Sequence, residues 1–161
     1  MKRRRITMRS RSLFLVVLLA VAAGSAVAQS ATEREINDLE QKMNAAYAAN
    51  DLPGYFAYYD PDFTQWLPEG RTDLPQYEKM WTAFIKSGGG VESDQTSDMH
   101  VQVDPSGDTA VASYLLRVKT RSAKGVVSDE VFQETDVWFK RAGAWKVVHL
   151  HYSHAPKKKK Q

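Results

Sequence analysis

Between Glu134 and Ser153 the chain reads ETDVWFKRAGAWKVVHLHYS, two runs rich in Val, Trp, Phe and Tyr around Lys140-Arg141-Ala142-Gly143. Strand-forming residues flanking a short loop that ends in a Gly, free to take positive φ, are the sequence form of a β-hairpin. The upstream chain reads as material that extends or covers this hairpin.

Thr32 to Asn50 is the clearest helix. Thr32 and Glu35 form a capping box, each satisfying the other's backbone amide. Ile36, Leu39, Met43, Ala46 and Tyr47 recur at spacings of three and four, one apolar stripe suited to lie on a sheet. Asp51-Leu52-Pro53 ends that helix and opens a short second one through Tyr59. Asp60-Pro61-Asp62 reads as a turn, Phe63 to Leu67 as a short strand, and Pro68 to Arg71 as another turn. Asp73 can cap a third helix with Pro75 in its first turn and Tyr77, Met80, Trp81, Phe84 and Ile85 facing inward, closed by Gly88-Gly89-Gly90.

From Val91 the apolar period falls from 3.6 to 2. Met99, Val101 and Val103 alternate with polar residues up to the turn Asp104 to Asp108, and strands follow over Thr109–Thr120, Val126–Lys140 and Ala144–His154. Three helices and then a curved, mostly antiparallel sheet predict an α+β fold with the N-terminal helices on one face. At 161 residues, without Cys, this is one domain held by its core alone.

The net charge of +3 is unevenly placed. Residues 29–156 carry 12 Lys and Arg against 19 Asp and Glu, a net of −7 that offers phosphates no basic track and argues against nucleic-acid binding. The basic residues concentrate in residues 1–28, where a positive segment, an apolar run from Leu13 to Ala23 and Ala26-Val27-Ala28 read as a secretory signal peptide cleaved near Ala28. The run is short for a membrane span, although an uncleaved anchor is the alternative. The expected location is secreted or periplasmic, with a domain over residues 29–155 and a basic tail over 156–161. Any further membrane contact would come weakly from Lys157–Lys160, or that run is simply solvated.

Several strings carry a resemblance: Tyr59-Asp60-Pro61-Asp62-Phe63-Thr64 running into Pro68-Glu69, then Glu134-Thr135-Asp136-Val137-Trp138, then Gly143 to His151. Over roughly Ala31 to Ser153 the chain resembles the nuclear-transport-factor-2-like superfamily, specifically the association domain of calcium/calmodulin-dependent protein kinase II and SnoaL-like proteins. The resemblance implies a cone of curved sheet closed by N-terminal helices, with a cavity. It does not imply one activity, because the superfamily mixes isomerases, cyclases, dehydratases and oligomerisation hubs. Arginines that line the kinase domain's cavity correspond to Asp136, Tyr152 and a position near Leu116, with Arg117 one residue out of phase. Because alternate strand residues share a face, Arg117 should point away.

The expected pocket face is Tyr114, Leu116, Glu134, Asp136, Trp138, Leu150 and Tyr152, with Tyr59 and Trp66 at the helical mouth. Such an aromatic and acidic cavity suits a small apolar or weakly polar molecule rather than a carboxylate. Asp136, desolvated on an apolar strand, is the candidate general base, with Tyr114 or Tyr152 as hydrogen-bond donor to an enolate. The alternative is a structural Asp136, solvated or paired with Arg117 or Lys119. His149 and His151 share a face as a possible metal pair, or serve in an interface or core. Glu130 and Glu134 with Asp136 could meet a cation, or are solvated. No cofactor and no metal site is expected. Val127, Val131, Val137, Phe139, Trp145, Val147 and His149 are assigned to the outer sheet face, an apolar surface best covered by a second copy in a homodimer. The function expected is an exported dimeric small-molecule-binding or scaffolding domain. The alternative is an isomerase, cyclase or dehydratase using Asp136.

Overall fold

A computed structural model describes residues 31–67 and 69–156. The expected leader and the Lys157–Lys160 run lie outside the described residues. In chain order the elements are α1 (residues 31–48), α2 (Leu52–Phe56), β1 (Tyr59–Leu67), β2 (Gly70–Asp73), α3 (Leu74–Lys86), β3 (Gly90–Val103), β4 (Thr109–Arg121), β5 (Val127–Arg141) and β6 (Ala144–His154). One six-stranded sheet results, in the order β2-β1-β6-β5-β4-β3. Every pairing is antiparallel except β1 with β6. The sheet is curved and unclosed, with the helices on its inner face, the expected α+β architecture.

Local chemistry explains the boundaries. α1 ends where Asn50 takes φ 57, with Asn50 N–H bonded to the Tyr47 carbonyl at 3.0 Å and Asp51 N–H to the Ala46 carbonyl at 2.9 Å. This paired closure satisfies carbonyls the helix would otherwise leave open. The Asn50 side chain then bonds both the N–H and the carbonyl of Val91, fixing the start of β3. Asp73 caps α3 through Gln76 N–H at 3.0 Å. The hairpin loop is tighter than the sequence suggests. Arg141 pairs with Ala144, and only Ala142 (φ 50) and Gly143 (φ 82) turn the chain. Positive φ at both positions matches the twist of the flanking strands.

Three expectations are corrected and one is qualified. Asp60-Pro61-Asp62 is not a free turn but part of β1, whose pairing with β6 breaks register between Tyr59 and Thr64. Gly70 and Arg71, expected in a turn from Pro68 to Arg71, belong instead to a short strand, β2, that the sequence reading lacked, and Pro68 lies outside the described residues. Met80 faces the inner cavity as expected but is not buried, being 52% exposed at its edge. Trp145 and Val147 are buried on the inner face, not the outer. The pairs Val137–His149 and Trp138–Val147 leave Val148 as an extra residue in β6. Such a bulge reverses which side chains point inward.

Candidate functional site

The inner face of β5 alternates Phe132, Glu134, Asp136 and Trp138, all buried, with outward residues between them. An apolar stripe on α1 lies over this face, yet Glu40 and Asn44 sit within it, one turn from Ile36 and beside Met43. Three carboxyls therefore meet in the interior around one phenol. The Tyr114 hydroxyl lies 2.8 Å from Glu134 Oε1 and 3.0 Å from Asp136 Oδ2, with Asn44 Nδ2 at 3.4 Å. Trp138 Nε1 donates to Glu40 Oε1 at 2.6 Å.

Counting hydrogens shows how this cluster is held. Tyr114 has one proton to donate to two carboxyl neighbours, so it cannot fully satisfy both as charged groups. Glu40 Oε2 and Asp136 Oδ1 are buried and receive no other donor. Each of these two carboxyls shifts the other's pKa, Glu40 raising Asp136 further above the usual carboxylate range. Burial drives the same outcome. It pushes Glu40 up to about 8, the Trp138 bond opposing it and the Glu134 charge adding to it. Burial likewise raises Glu134 well above the usual carboxylate range, with Asp136 adding to the rise and Tyr114 opposing it. Asp136 is raised by burial first and by Glu40 second. Like charges this close in a dry interior cannot all ionise.

Beside the cluster, between α1, α3 and the sheet, lies a cavity of about 400 Å³. Its walls are aromatic: Tyr47, Tyr55, Tyr77, Trp81, Phe84 and Tyr152. Asn44, Gln65, Thr120 and Glu134 are its polar members, and among the described residues none of its lining side chains is basic. Hydroxyls of Tyr59, Tyr55 and Tyr77 run in a hydrogen-bonded chain toward it, the Tyr55–Tyr77 step spanning 2.9 Å.

The residues nominated from sequence divide into three sets. Leu116, Glu134, Leu150 and Tyr152 line the cavity. Tyr59, Tyr114, Asp136 and Trp138 are buried outside its lining, Asp136 at 0% exposure. Asp136 therefore does not border the cavity; Glu134, two residues along the same face, does. Trp66 does not guard the mouth. It is 49% exposed, because the inward positions of β1 belong to Phe63 and Gln65.

Asp136 is not paired with Arg117 or Lys119, which bridge Asp129 at 2.8 Å and Glu92 at 3.6 Å. His149 hydrogen-bonds Thr64 at 3.0 Å, and burial lowers its pKa. Glu130 is exposed beside His154, away from the buried carboxyls.

Glu40, Asn44 and Gln65 were missed by sequence reasoning. For the first two the signal was present, as polar residues inside an apolar stripe. Tyr47, Tyr77, Trp81 and Phe84 were assigned inward by spacing but given no role in the site.

Residues 32–156 match the model of the calcium/calmodulin dependent protein kinase II association domain. A curated relative, the calcium/calmodulin-dependent protein kinase type II alpha chain of Drosophila melanogaster, is 25% identical over 137 residues. That match covers 83% of this chain but 26% of the kinase, so the chain spans about a quarter of the relative's length. Among solved structures, the association domain of the C. elegans kinase superposes with a TM-score of 0.63 at 21% identity, over 78% of this chain and 97% of that one. A nuclear-transport-factor-2-like protein from Rhodospirillum rubrum gives 0.66 at 20% identity, over 75% and 98%. These superpositions show a nuclear-transport-factor-2-like fold. Within that class, the chain belongs to the calcium/calmodulin-dependent protein kinase II association-domain family.

Proposed function

We propose that this chain is an exported, self-associating domain that binds a small, mainly apolar molecule in its aromatic cavity. The observation that carries this reading is the open space of about 400 Å³, left beneath six aromatic side chains that could have filled it. Interiors are otherwise close-packed, and sites for small molecules are concave, mostly apolar and set with a few polar groups. Glu134, whose pKa burial raises well above the usual carboxylate range, supplies one such group. Export is supported by the charged, apolar and small-residue order of residues 1–28.

Self-association with a second copy is supported by the family's name and by Trp66 and Val131, exposed apolar side chains on the outer face. The test is calorimetric titration with naphthalene against wild type and Leu150→Trp, which fills the cavity. Binding by wild type and its loss in the folded variant support the reading; no binding by wild type overturns it.

One observation favours a second reading, proton transfer on an enolisable carbonyl compound. Glu134 borders the cavity, and Tyr114 links it to Asp136 behind. The contacting acid–base group would then be Glu134, with Asp136 holding a proton in reserve. Deuterium uptake at the α-carbon of a cavity-sized ketone, abolished in Glu134→Gln, would support it. Equal uptake in the variant would end it.

A further inference from the structure

Gln65 has an unusual position. It is 0% exposed, on the inner face of β1 between β2 and β6, and it borders the cavity. Among the described residues, neither its Nε2 nor its Oε1 has a hydrogen-bond partner. Its neighbour on β2, Thr72, gives its hydroxyl to Gln76 at 2.9 Å and so is not spent on Gln65. A buried amide that lacks both bonds is costly, and a folded protein keeps one only where something else completes it.

We propose that the cavity selects an uncharged planar molecule with an amide edge, a lactam or aromatic carboxamide, whose N–H and C=O dock against the side chain of Gln65. This rests on the cavity being a binding site. The primary amide presents one donor and one acceptor side by side, and an amide edge complements both at once. The walls favour a flat ring, since Tyr47, Tyr77 and Trp81 offer faces and edges for stacking. Without a basic side chain in the lining, a carboxylate finds no counter-charge. An ammonium group would satisfy Oε1 and leave Nε2 still unpaired.

The experiment uses the full chain at pH 7 and calorimetric titration with five probes: naphthalene, 2-quinolone, 1-methyl-2-quinolone, 2-naphthoate and 1-naphthylmethylamine. The expected result is 2-quinolone binding about tenfold or more tighter than naphthalene, as two added hydrogen bonds allow. Its N-methyl analogue, with the donor blocked, should lose that gain. Gln65→Met should erase the lactam preference while naphthalene still binds, which shows the fold and cavity intact. The wild-type comparison of the two quinolones stands without any variant.

Equal binding of naphthalene and 2-quinolone overturns the proposal and means that water satisfies Gln65. Tighter binding of the amine or the carboxylate overturns it in favour of a charged ligand. Failure of every probe, naphthalene included, overturns the cavity reading beneath it.

Discussion

Trp138 Nε1 donates to Glu40 Oε1 over 2.6 Å, joining β5 to α1 across 98 residues of sequence. The bond anchors an acid where only apolar residues would normally lie, and its consequences can be measured.

Glu40→Ala removes the one partner that the Trp138 N–H has among the described residues, and it takes away the buried carboxyl that neighbours Asp136. Leaving buried polar groups unpaired costs about 1–3 kcal/mol each, so the loss should be about 2–5 kcal/mol in urea unfolding. Glu40→Gln keeps an acceptor for Trp138 and should cost less than half as much. Equal losses in the two variants would mean that the bond contributes little.

The same carboxyl makes stability fall as pH rises. Glu40 is raised from 4.5 to about 8 in the folded state, so between those values the native protein holds a proton the unfolded chain has released. Its stabilising contribution is complete below pH 4.5 and is lost as pH climbs through 8. Glu134 and Asp136 shift in the same direction. The expected slope near pH 6–7 is about 1.4 kcal/mol per pH unit for each proton retained. Glu40→Gln should flatten it. A wild type with equal stability at pH 5.5 and pH 7.5 would contradict the raised pKa of these buried carboxyls.

At the hairpin tip, Ala142 sits at φ 50, a left-handed conformation that disfavours a Cβ by roughly 1–2 kcal/mol. Ala142→Gly or Ala142→Asn should therefore stabilise the domain by about 0.5–1 kcal/mol. Thermal unfolding reads the difference, and a lower midpoint in both variants would show that the loop is not strained.

Self-association through the outer face should depend on Val131, an exposed apolar side chain of β5. Val131→Lys is expected to shift sedimentation toward the single chain without lowering the thermal midpoint of the monomer. An unchanged sedimentation profile would move the interface elsewhere.

Much of this architecture was legible because period and punctuation carry it. Ile36 to Tyr47 marks one helix face, Asp73 with Pro75 marks a helix start, and the residues around Gly143 mark the hairpin. The inward set on β5 followed from alternation once the resemblance had placed Asp136 on the cavity face. What alternation cannot supply is depth along the strand. Glu134 and Asp136 share a face, yet only Glu134 reaches the cavity, because α1 covers Asp136 with Glu40.

Nor does alternation survive a bulge. The extra residue Val148 turns Trp145 and Val147 inward, and a bulge depends on the partner strand rather than on local sequence. Glu40 and Gln65 escaped because a polar residue is read as solvent-facing until the surrounding structure is seen to bury it.

The most direct measurement is a carboxyl-carbon NMR titration of Glu134, assigned by comparison with Glu134→Gln. A cavity wall that is uncharged at neutral pH requires this group to remain protonated at pH 7, well above the ordinary carboxylate range, and to shift when a probe such as naphthalene fills the space. A resonance that titrates between pH 4 and 5 and ignores the probe would mean a wet, charged inner face. The apolar-ligand reading would then fail.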